Sequence, residues 1–189
     1  IPATYIADGH HRCASAVKVG LKRRQDNPGF TGNEEYNRFL SVLFPDDEMM
    51  IMDYNRVVKD LNGMSKEEFM AKSNDLFEVE NKGTNQVHPE RKGTFGMFID
   101  GEWYHLTAKA SILSDDAVEG LDVSVLQNSL LGPVLGIGDP RTDERIDFIG
   151  GIRGLEELER RVKEDMVVAF SMYPTSIEEL LAVADAHRL

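Results

Sequence analysis

The sequence predicts a mixed α/β protein, in which helices and strands share one layered fold. Three observations predict this class. An Asp100-Gly101 pair between two apolar runs is typical of a β-hairpin. From residue 146 onward the apolar pattern alternates strand, helix, strand and helix, which indicates an α/β layer. Residues 3–20 have the pattern of a strand, a tight turn at Asp8-Gly9 and a helix.

The elements of the first sixty residues follow from apolar spacing and from the residues that begin or end helices. They are a strand over Ala3–Ala7, a helix after Gly9 that ends at Gly20, a loop over 22–33, a helix with Asn33 as N-cap up to Pro45, a buried strand over Met49–Met52 and a loop at Asp53–Arg56.

The remaining elements follow from capping-box spacing, from alternation and from turn residues. They are a helix opened by Ser65–Glu68, a strand over Phe77–Val79, a loop over Asn81–Lys92, hairpin strands over Phe95–Ile99 and Trp103–Leu106, a helix from Asp122 to near Gly132, a loop over Gly136–Glu144, a strand over Ile146–Ile149, a helix through Leu155 and Val162, a strand over Met166–Phe170 and a helix opened by Thr175–Glu178.

Composition describes an ordinary globular chain, with 41% hydrophobic and 29% charged residues. The net charge of −12 opposes binding to a nucleic acid, because such binding depends on Lys and Arg displacing counterions. Cys13 is the only cysteine, so no disulfide forms within the chain, and the cytoplasm is the expected location. No apolar run is long enough to cross a membrane, so a membrane partner is not expected.

The turn at Asp8-Gly9 and the residues His10-His11-Arg12 have the pattern of an anion site. A glycine permits close approach of a ligand to the backbone, and a helix start presents unpaired N–H groups and the positive end of its dipole. A phosphate is the anion that such a site suits best. The alternative is structural: Asp8 is then an N-cap, and His11 is a partly buried side chain bonded to Ser15.

Two further patterns bear on chemistry. Gly150–Gly154 lies between a strand and a helix and is either an anion cradle or a tight turn that allows close packing; in the first case Arg153 joins a substrate site. His10 and His11 are adjacent on a helix, so their side chains point about 100° apart and do not suit one metal ion. Magnesium carried by a nucleotide needs only one or two protein carboxylates, and Asp8 is the candidate.

Several sequence blocks resemble those of a prokaryotic family, the domain of unknown function numbered one thousand and fifteen, and they occur in the family's order over essentially the whole chain. They are Asp8-Gly9-His10-His11-Arg12, Asp53–Lys59, Gly93–Met97, Gly136–Arg141 and Asp147–Gly151. Some members of that family are free serine kinases, which convert L-serine to O-phosphoserine. More distantly, Gly9–Arg12 is similar to the phosphate-binding loops of sulfiredoxin and of ParB.

The resemblance implies a nucleotide-dependent phosphotransferase that uses ATP or ADP with Mg²⁺ and takes a small substrate such as L-serine. It implies residues 1–60 as part of a ParB-like nucleotide-binding region and 61–189 as an α/β region. The expected roles are catalysis by Asp8 and His11, phosphate binding by Gly9, His10, His11 and Arg12, magnesium binding by Asp8, and substrate binding by Asn55, Arg56 and Arg153.

The resemblance also bears on completeness. Because the sequence opens inside the first family block, we expect a fragment of a larger protein, cut before Ile1 and after Leu189. The kinase members draw a catalytic glutamate from upstream of the motif, so the fragment alone is expected to be weak or silent as an enzyme. The alternative functions are a ParB-like nucleotide-binding regulatory module without kinase activity and a purely structural domain whose motif is a well-capped turn.

Overall fold

The structure is a computed structural model that describes residues 3–188. The chain divides into two compact units, Ile1–Met49 and Met50–Leu189. Over the described residues the helices are α1 (His10–Asp26), α2 (Lys66–Leu76), α3 (Asp122–Leu126), α4 (Leu155–Glu164) and α5 (Ile177–Asp185). The strands are β1 (Tyr54–Val58), β2 (Phe77–Gly83), β3 (Thr94–Ile99), β4 (Glu102–Ala108), β5 (Ile146–Gly150) and β6 (Val168–Met172).

The first unit is built around α1. This helix begins where the sequence predicts, directly after Gly9, but the strand predicted at Ala3–Ala7 is absent from the described residues. A strand needs a neighbour to satisfy its backbone groups, and the described part of this unit holds only α1 and short 3₁₀ turns. The predicted ParB/sulfiredoxin-like strand–turn–helix element is therefore not confirmed.

The predicted end of the first helix at Gly20 is wrong, because α1 continues to Asp26. Gly20 is the buried residue of the helix, and a Cβ at this position would lie 2.9 Å from the Tyr36 carbonyl oxygen. The glycine thus serves a close backbone approach rather than a helix end. The loop predicted over 22–33 accordingly begins only at Asn27.

The helix predicted from Asn33 to Pro45 is also wrong, since only a 3₁₀ turn forms, at Glu35–Asn37. The Glu34 carboxylate instead accepts hydrogen bonds from the backbone N–H groups of Thr31 and Gly32, at 2.7 and 2.9 Å. These bonds lower the pKa of Glu34 to about 2. Local side-chain bonding to the backbone has therefore replaced the helix that apolar spacing favoured.

The second unit contains a six-stranded sheet in the order β2-β4-β3-β6-β1-β5, in which every neighbouring pair of described strands is antiparallel. The mixed α/β class is confirmed. The β3–β4 hairpin is also confirmed: Asp100 and Gly101 both have positive φ, 53° and 77°, as a type I′ turn requires.

The strand predicted at Met49–Met52 is wrong, and the loop predicted at Asp53–Arg56 is largely strand. β1 begins at Tyr54, which pairs with Gly150 of β5. The later residues of β1 also pair with β6. Partners on both sides decide where this strand lies, and an apolar run alone does not supply them. Met50 is 81% exposed.

The predicted helices of this unit are present. Ser65 and Glu68 form the capping box of α2, as predicted. The capping box of α5 joins Ser176 and Glu179, one residue later than the predicted Thr175–Glu178. The helix predicted from Asp122 consists of α3 followed by a π-helical turn at Gln127–Leu131.

Helices cover both faces of the sheet. Alternate residues of β1 enter different clusters: Val58 packs with Leu126 and other residues of α3 and α2, whereas Val57 packs with Leu158 of α4. Trp103 is fully buried on the α4 side, where its Nε1 donates to Glu159 Oε1 at 2.9 Å. The face covered by α3 also carries Arg56 and Phe148, which lie on neighbouring strands.

Asp122 ties the start of α3 to the start of β3. Its carboxylate oxygens accept from the Gly93 backbone N–H at 2.9 and 3.0 Å, and the residue is only 7% exposed. Burial raises the pKa of Asp122 from 3.8 to about 6. Because the folded-state pKa lies above the unfolded-state value, ionisation of this group opposes folding.

We expect the stability contribution of Asp122 to fall as pH rises from about 3.8 to about 6 and then to level off. The Asp122→Asn variant keeps an oxygen acceptor and does not titrate. Its free energy of unfolding, measured against the parent chain by urea titration, should rise by about 2–3 kcal/mol over that range. Glu78→Gln, at an exposed carboxylate, serves as the control. A constant difference between Asp122→Asn and the parent would contradict the assignment.

Candidate functional site

The start of α1 has the backbone geometry that the sequence predicts for an anion site. Gly9 is the N-cap residue in the left-handed conformation, with φ 79° and ψ 27°. No side chain caps the helix, so the alternative in which Asp8 is the N-cap is wrong. The first intrahelical bond runs from the Cys13 N–H to the Gly9 carbonyl oxygen at 2.9 Å, which leaves the N–H groups of His10, His11 and Arg12 without helical partners.

The side chains at this turn are exposed. His10 and His11 are both exposed, so the alternative of a partly buried His11 is also wrong. Arg12 Nη2 lies 3.2 Å from Asp8 Oδ2, and both side chains are more than four-fifths exposed. A Cβ at Gly9 would lie 3.0 Å from Arg12 Nη2, so the glycine makes room for the guanidinium. Asp8 therefore compensates the charge of a cation that is unfavourable in a first helical turn.

The other predicted substrate residues lie in the second unit. Arg56 is on β1 and pairs across the sheet with Phe148 of β5. Its guanidinium carbon lies 5.5 Å from the Tyr54 ring centroid and 5.2 Å from that of Phe148, and the two rings stack at 5.0 Å. The sheet register thus joins two of the family-like blocks in one cation–π arrangement.

The Arg56 guanidinium has no hydrogen bond or ion pair to any residue between 3 and 188, and its Nη1 is sealed from solvent. Burial lowers the pKa of Arg56 to about 10, so the side chain stays protonated at neutral pH. Arg56 as a whole is partly exposed, but an unpartnered and sealed guanidinium nitrogen is unfavourable, so the arrangement suits the binding of a negative group.

A cavity of about 250 Å³ adjoins Arg56, Phe148 and the residues of α3 and its π-helical turn. Its polar lining consists of Arg56, Ser124, Gln127 and Asn128. None of the described side chains that line it is acidic. Sequence analysis predicted the helix here but not the cavity, because nothing in the spacing of Ser124, Gln127 and Asn128 shows that they face Arg56. The π-helical turn, a feature that often marks functional sites, has no sequence signal of its own.

Asn55, predicted to bind substrate, is fully buried and already bonded. Its Nδ2 donates to Asp53 Oδ2 at 2.7 Å, and its Oδ1 accepts from the Met172 backbone N–H at 2.9 Å. The second bond joins β1 to β6 beyond their last paired residues, Arg56 and Phe170. These contacts favour a structural role for Asn55.

Gly150–Gly154 supports the close-packing interpretation. The Gly151 N–H donates to the Asp53 carbonyl oxygen at 2.8 Å, and a Cβ at Gly151 would overlap the Asp53 carboxylate. Arg153, the third predicted substrate residue, is 67% exposed and lies 3.8 Å from Glu157. The structure therefore brings Arg56 to a cavity and leaves Arg153 on the surface.

Comparison with known proteins identifies the family. The family described as a protein of unknown function (DUF1015) matches residues 1–124. The chain belongs to this family. The match includes the motif at Asp8–Arg12 and all of β1, whereas the blocks at Gly136–Arg141 and Asp147–Gly151 lie beyond it. No curated protein and no solved structure matches the chain.

Residues 3–188 hold neither a metal-binding cluster nor a membrane-spanning helix. These residues contain no group of three or more His, Cys, Asp or Glu side chains placed to hold a metal ion. Nor do they include a helix with the length and apolar character needed to span a membrane.

The bonds of Asn55 lead to a stability prediction. Asn55→Ala leaves the Met172 N–H buried without an acceptor, which should lower the free energy of unfolding by about 1–3 kcal/mol. Asn74→Ala, on the exposed side of α2, should change it by no more than about 0.5 kcal/mol. Urea unfolding of both variants makes the comparison. Unchanged stability of Asn55→Ala would contradict the structural role of Asn55.

Proposed function

We propose that this protein is a nucleotide-dependent phosphotransferase of the free serine kinase type. In this reaction the terminal phosphoryl group of ATP or ADP passes to the hydroxyl oxygen of L-serine, the shortened nucleotide leaves, and the hydroxyl proton goes to a base. The observation that carries the proposal is the start of α1, where free N–H groups, two exposed histidines and an arginine follow a left-handed glycine. The resemblance of the Asp8–Arg12 motif to that of free serine kinases supports it, and the family match includes this motif.

The residues at the start of α1 fit a phosphate group. The N–H groups of the first turn point along the helix axis and carry its positive end. His10 and His11 are exposed and able to add hydrogen bonds. When bound, the nucleotide would supply the phosphoryl group and the magnesium ion, which is consistent with a site that has one nearby carboxylate.

Asp8 and Arg12 form an exchangeable pair in this proposal. An exposed ion pair of this kind contributes at most about 1 kcal/mol, so Arg12 can exchange the carboxylate for a phosphate at little cost. Asp8 is then released to bind magnesium or to orient the acceptor hydroxyl, with His11 beside it. Such positioning and charge neutralisation are what phosphoryl transfer requires of a protein. A cytoplasmic location forms part of the proposal.

Incubation of the full-length protein with Mg²⁺, L-serine and either ATP or ADP, with O-phosphoserine detected by mass spectrometry, tests the activity. Phosphoserine that appears with one nucleotide identifies the donor. Nucleotide binding without phosphoserine would contradict the kinase and support the ParB-like regulatory module. Absence of nucleotide binding would contradict both.

In the full-length protein, Arg12→Ala should weaken nucleotide binding about ten- to a hundredfold, since one charge-assisted bond to phosphate contributes about 1.5–3 kcal/mol. Stability should change by only about 0.5 kcal/mol, because the pair with Asp8 is exposed. Calorimetric titration with nucleotide and a thermal melt on the same sample separate the two effects.

Lys22→Ala is the matched control, because Lys22 forms an exposed ion pair with Asp26, four residues away on the same helix. It should have the same small effect on stability and none on nucleotide affinity. If Arg12→Ala lowers the melting temperature strongly and leaves affinity unchanged, Arg12 is structural and the phosphate site is refuted.

A further inference from the structure

The cavity beside Arg56 has a positive charge that no acidic side chain of the described residues neutralises. Arg56 is partly exposed, but its Nη1 is sealed from solvent without a hydrogen-bond partner, and burying such a polar atom unpaired is unfavourable. The rings of Tyr54 and Phe148 attract the cation but cannot accept the in-plane hydrogen bonds of a guanidinium. Such a residue is better explained by a ligand than by the fold.

The neutral amides of the cavity define the rest of the ligand. Gln127 Nε2 donates to the carbonyl oxygens of Ile137 and Gly138 at 3.1 and 3.3 Å, and Asn128 Nδ2 donates to Glu119 Oε2 at 2.6 Å. The donor ends of both amides are thus used by the protein. Their acceptor oxygens, with no partner among residues 3–188, suit a ligand that carries hydroxyl or ammonium donors.

We propose that this cavity binds a small hydroxy or amino carboxylate, with the carboxylate on Arg56 and the hydroxyl or ammonium donors on the acceptor oxygens of the cavity. That this ligand is the phosphoryl acceptor rests on the proposed function; that it binds does not. The cavity volume of about 250 Å³ is below the roughly 300–1,000 Å³ of pockets that hold drug-sized ligands, so it suits a smaller molecule.

A carboxylate fits better than a phosphate. Arg56 is the one cation that lines the cavity within the described residues, and a carboxylate monoanion matches its charge and its bidentate geometry. A phosphate monoester carries a charge of about −1.5 to −2 at neutral pH, which would leave negative charge uncompensated in a partly buried site.

Binding of four probes to the unmodified chain without nucleotide tests the ligand class. Isothermal titration with lactate and with L-serine should show binding in the millimolar range or tighter. Lactamide, which replaces the carboxylate by a neutral amide, should bind at least about tenfold more weakly. Equal binding of lactate and lactamide, or binding of inorganic phosphate alone, would overturn the proposal, as would the absence of any binding.

Arg56→Met removes the charge and keeps much of the apolar volume. It should abolish lactate and L-serine binding. It should not lower the melting temperature, because the removed charge has no hydrogen bond or ion pair in the fold to lose. Arg160→Met, on α4 at the other face of the sheet, removes one exposed positive charge and should leave binding unchanged. Retained binding in Arg56→Met would refute the site.

A second pair of variants tests whether Arg56 needs an anion or only a filled space. Ser124 lines the cavity, so Ser124→Glu and Ser124→Gln place side chains of similar size there, one charged and one neutral. Both should block ligand binding, and Ser124→Glu should melt at the higher temperature because its carboxylate compensates Arg56. Equal or lower stability of Ser124→Glu would overturn the proposal.

These outcomes are separable from those of the proposed function. If Arg56→Met abolishes lactate and L-serine binding but the full-length protein makes no phosphoserine, the kinase is refuted and the carboxylate site is kept. Phosphoserine formation that is insensitive to Arg56→Met would do the reverse.

Discussion

The second unit depends on the double pairing of β1, which is hydrogen-bonded to β5 on one side and to β6 on the other. Two ladders fix the register, and a shift by one residue would move every side chain of the strand to the opposite face. This register sends Val58 into the cluster with α3 and Val57 into the cluster with α4. Arg56 and Asn55 are separated in the same way: Arg56 lies beside the cavity, whereas Asn55 is bonded to the backbone of β6.

The end of β1 is held by contacts that only small or amide side chains permit. Asp53 lies against Gly151, and Asn55 joins Asp53 to the backbone of β6. These contacts fix the part of β1 that carries Tyr54 and Arg56. The local sequence Asp53–Arg56 thus alternates residues that fix the strand with residues that form a site, as the two-residue period of a strand dictates.

Elements with local determinants could be predicted from the sequence, and elements with distant ones could not. The Asp100-Gly101 turn, the Ser65 capping box and the helix start at Gly9 are decided within a few residues, and each is present. The strand predicted at Met49–Met52 is wrong because β1 is placed by β5 and β6, whose paired residues lie far away in the sequence.

The residues of the candidate site also differ in whether the local sequence could identify them. Residue chemistry singled out Arg56, because arginine suits a carboxylate, and the structure places it at a cavity. Nothing local shows that Asn55, its neighbour, faces the opposite side and is consumed by backbone bonds. Ser124 and Gln127 enter the site only through the packing of α3 on the sheet, a long-range outcome that spacing along the helix does not reveal.

Two arginines follow short polar motifs in this sequence, and their surroundings give them different meanings. Arg12 is exposed, so water and Asp8 satisfy it, and its place in the structure is compatible with a ligand without requiring one. Arg56 is shielded from water on Nη1 and has no acid among the described residues, so the fold by itself leaves its charge uncompensated. Stability alone favours an apolar side chain at such a position. The physical argument for a ligand is therefore stronger at the cavity beside Arg56 than at the start of α1, although the sequence motif at the helix start is the more recognisable of the two.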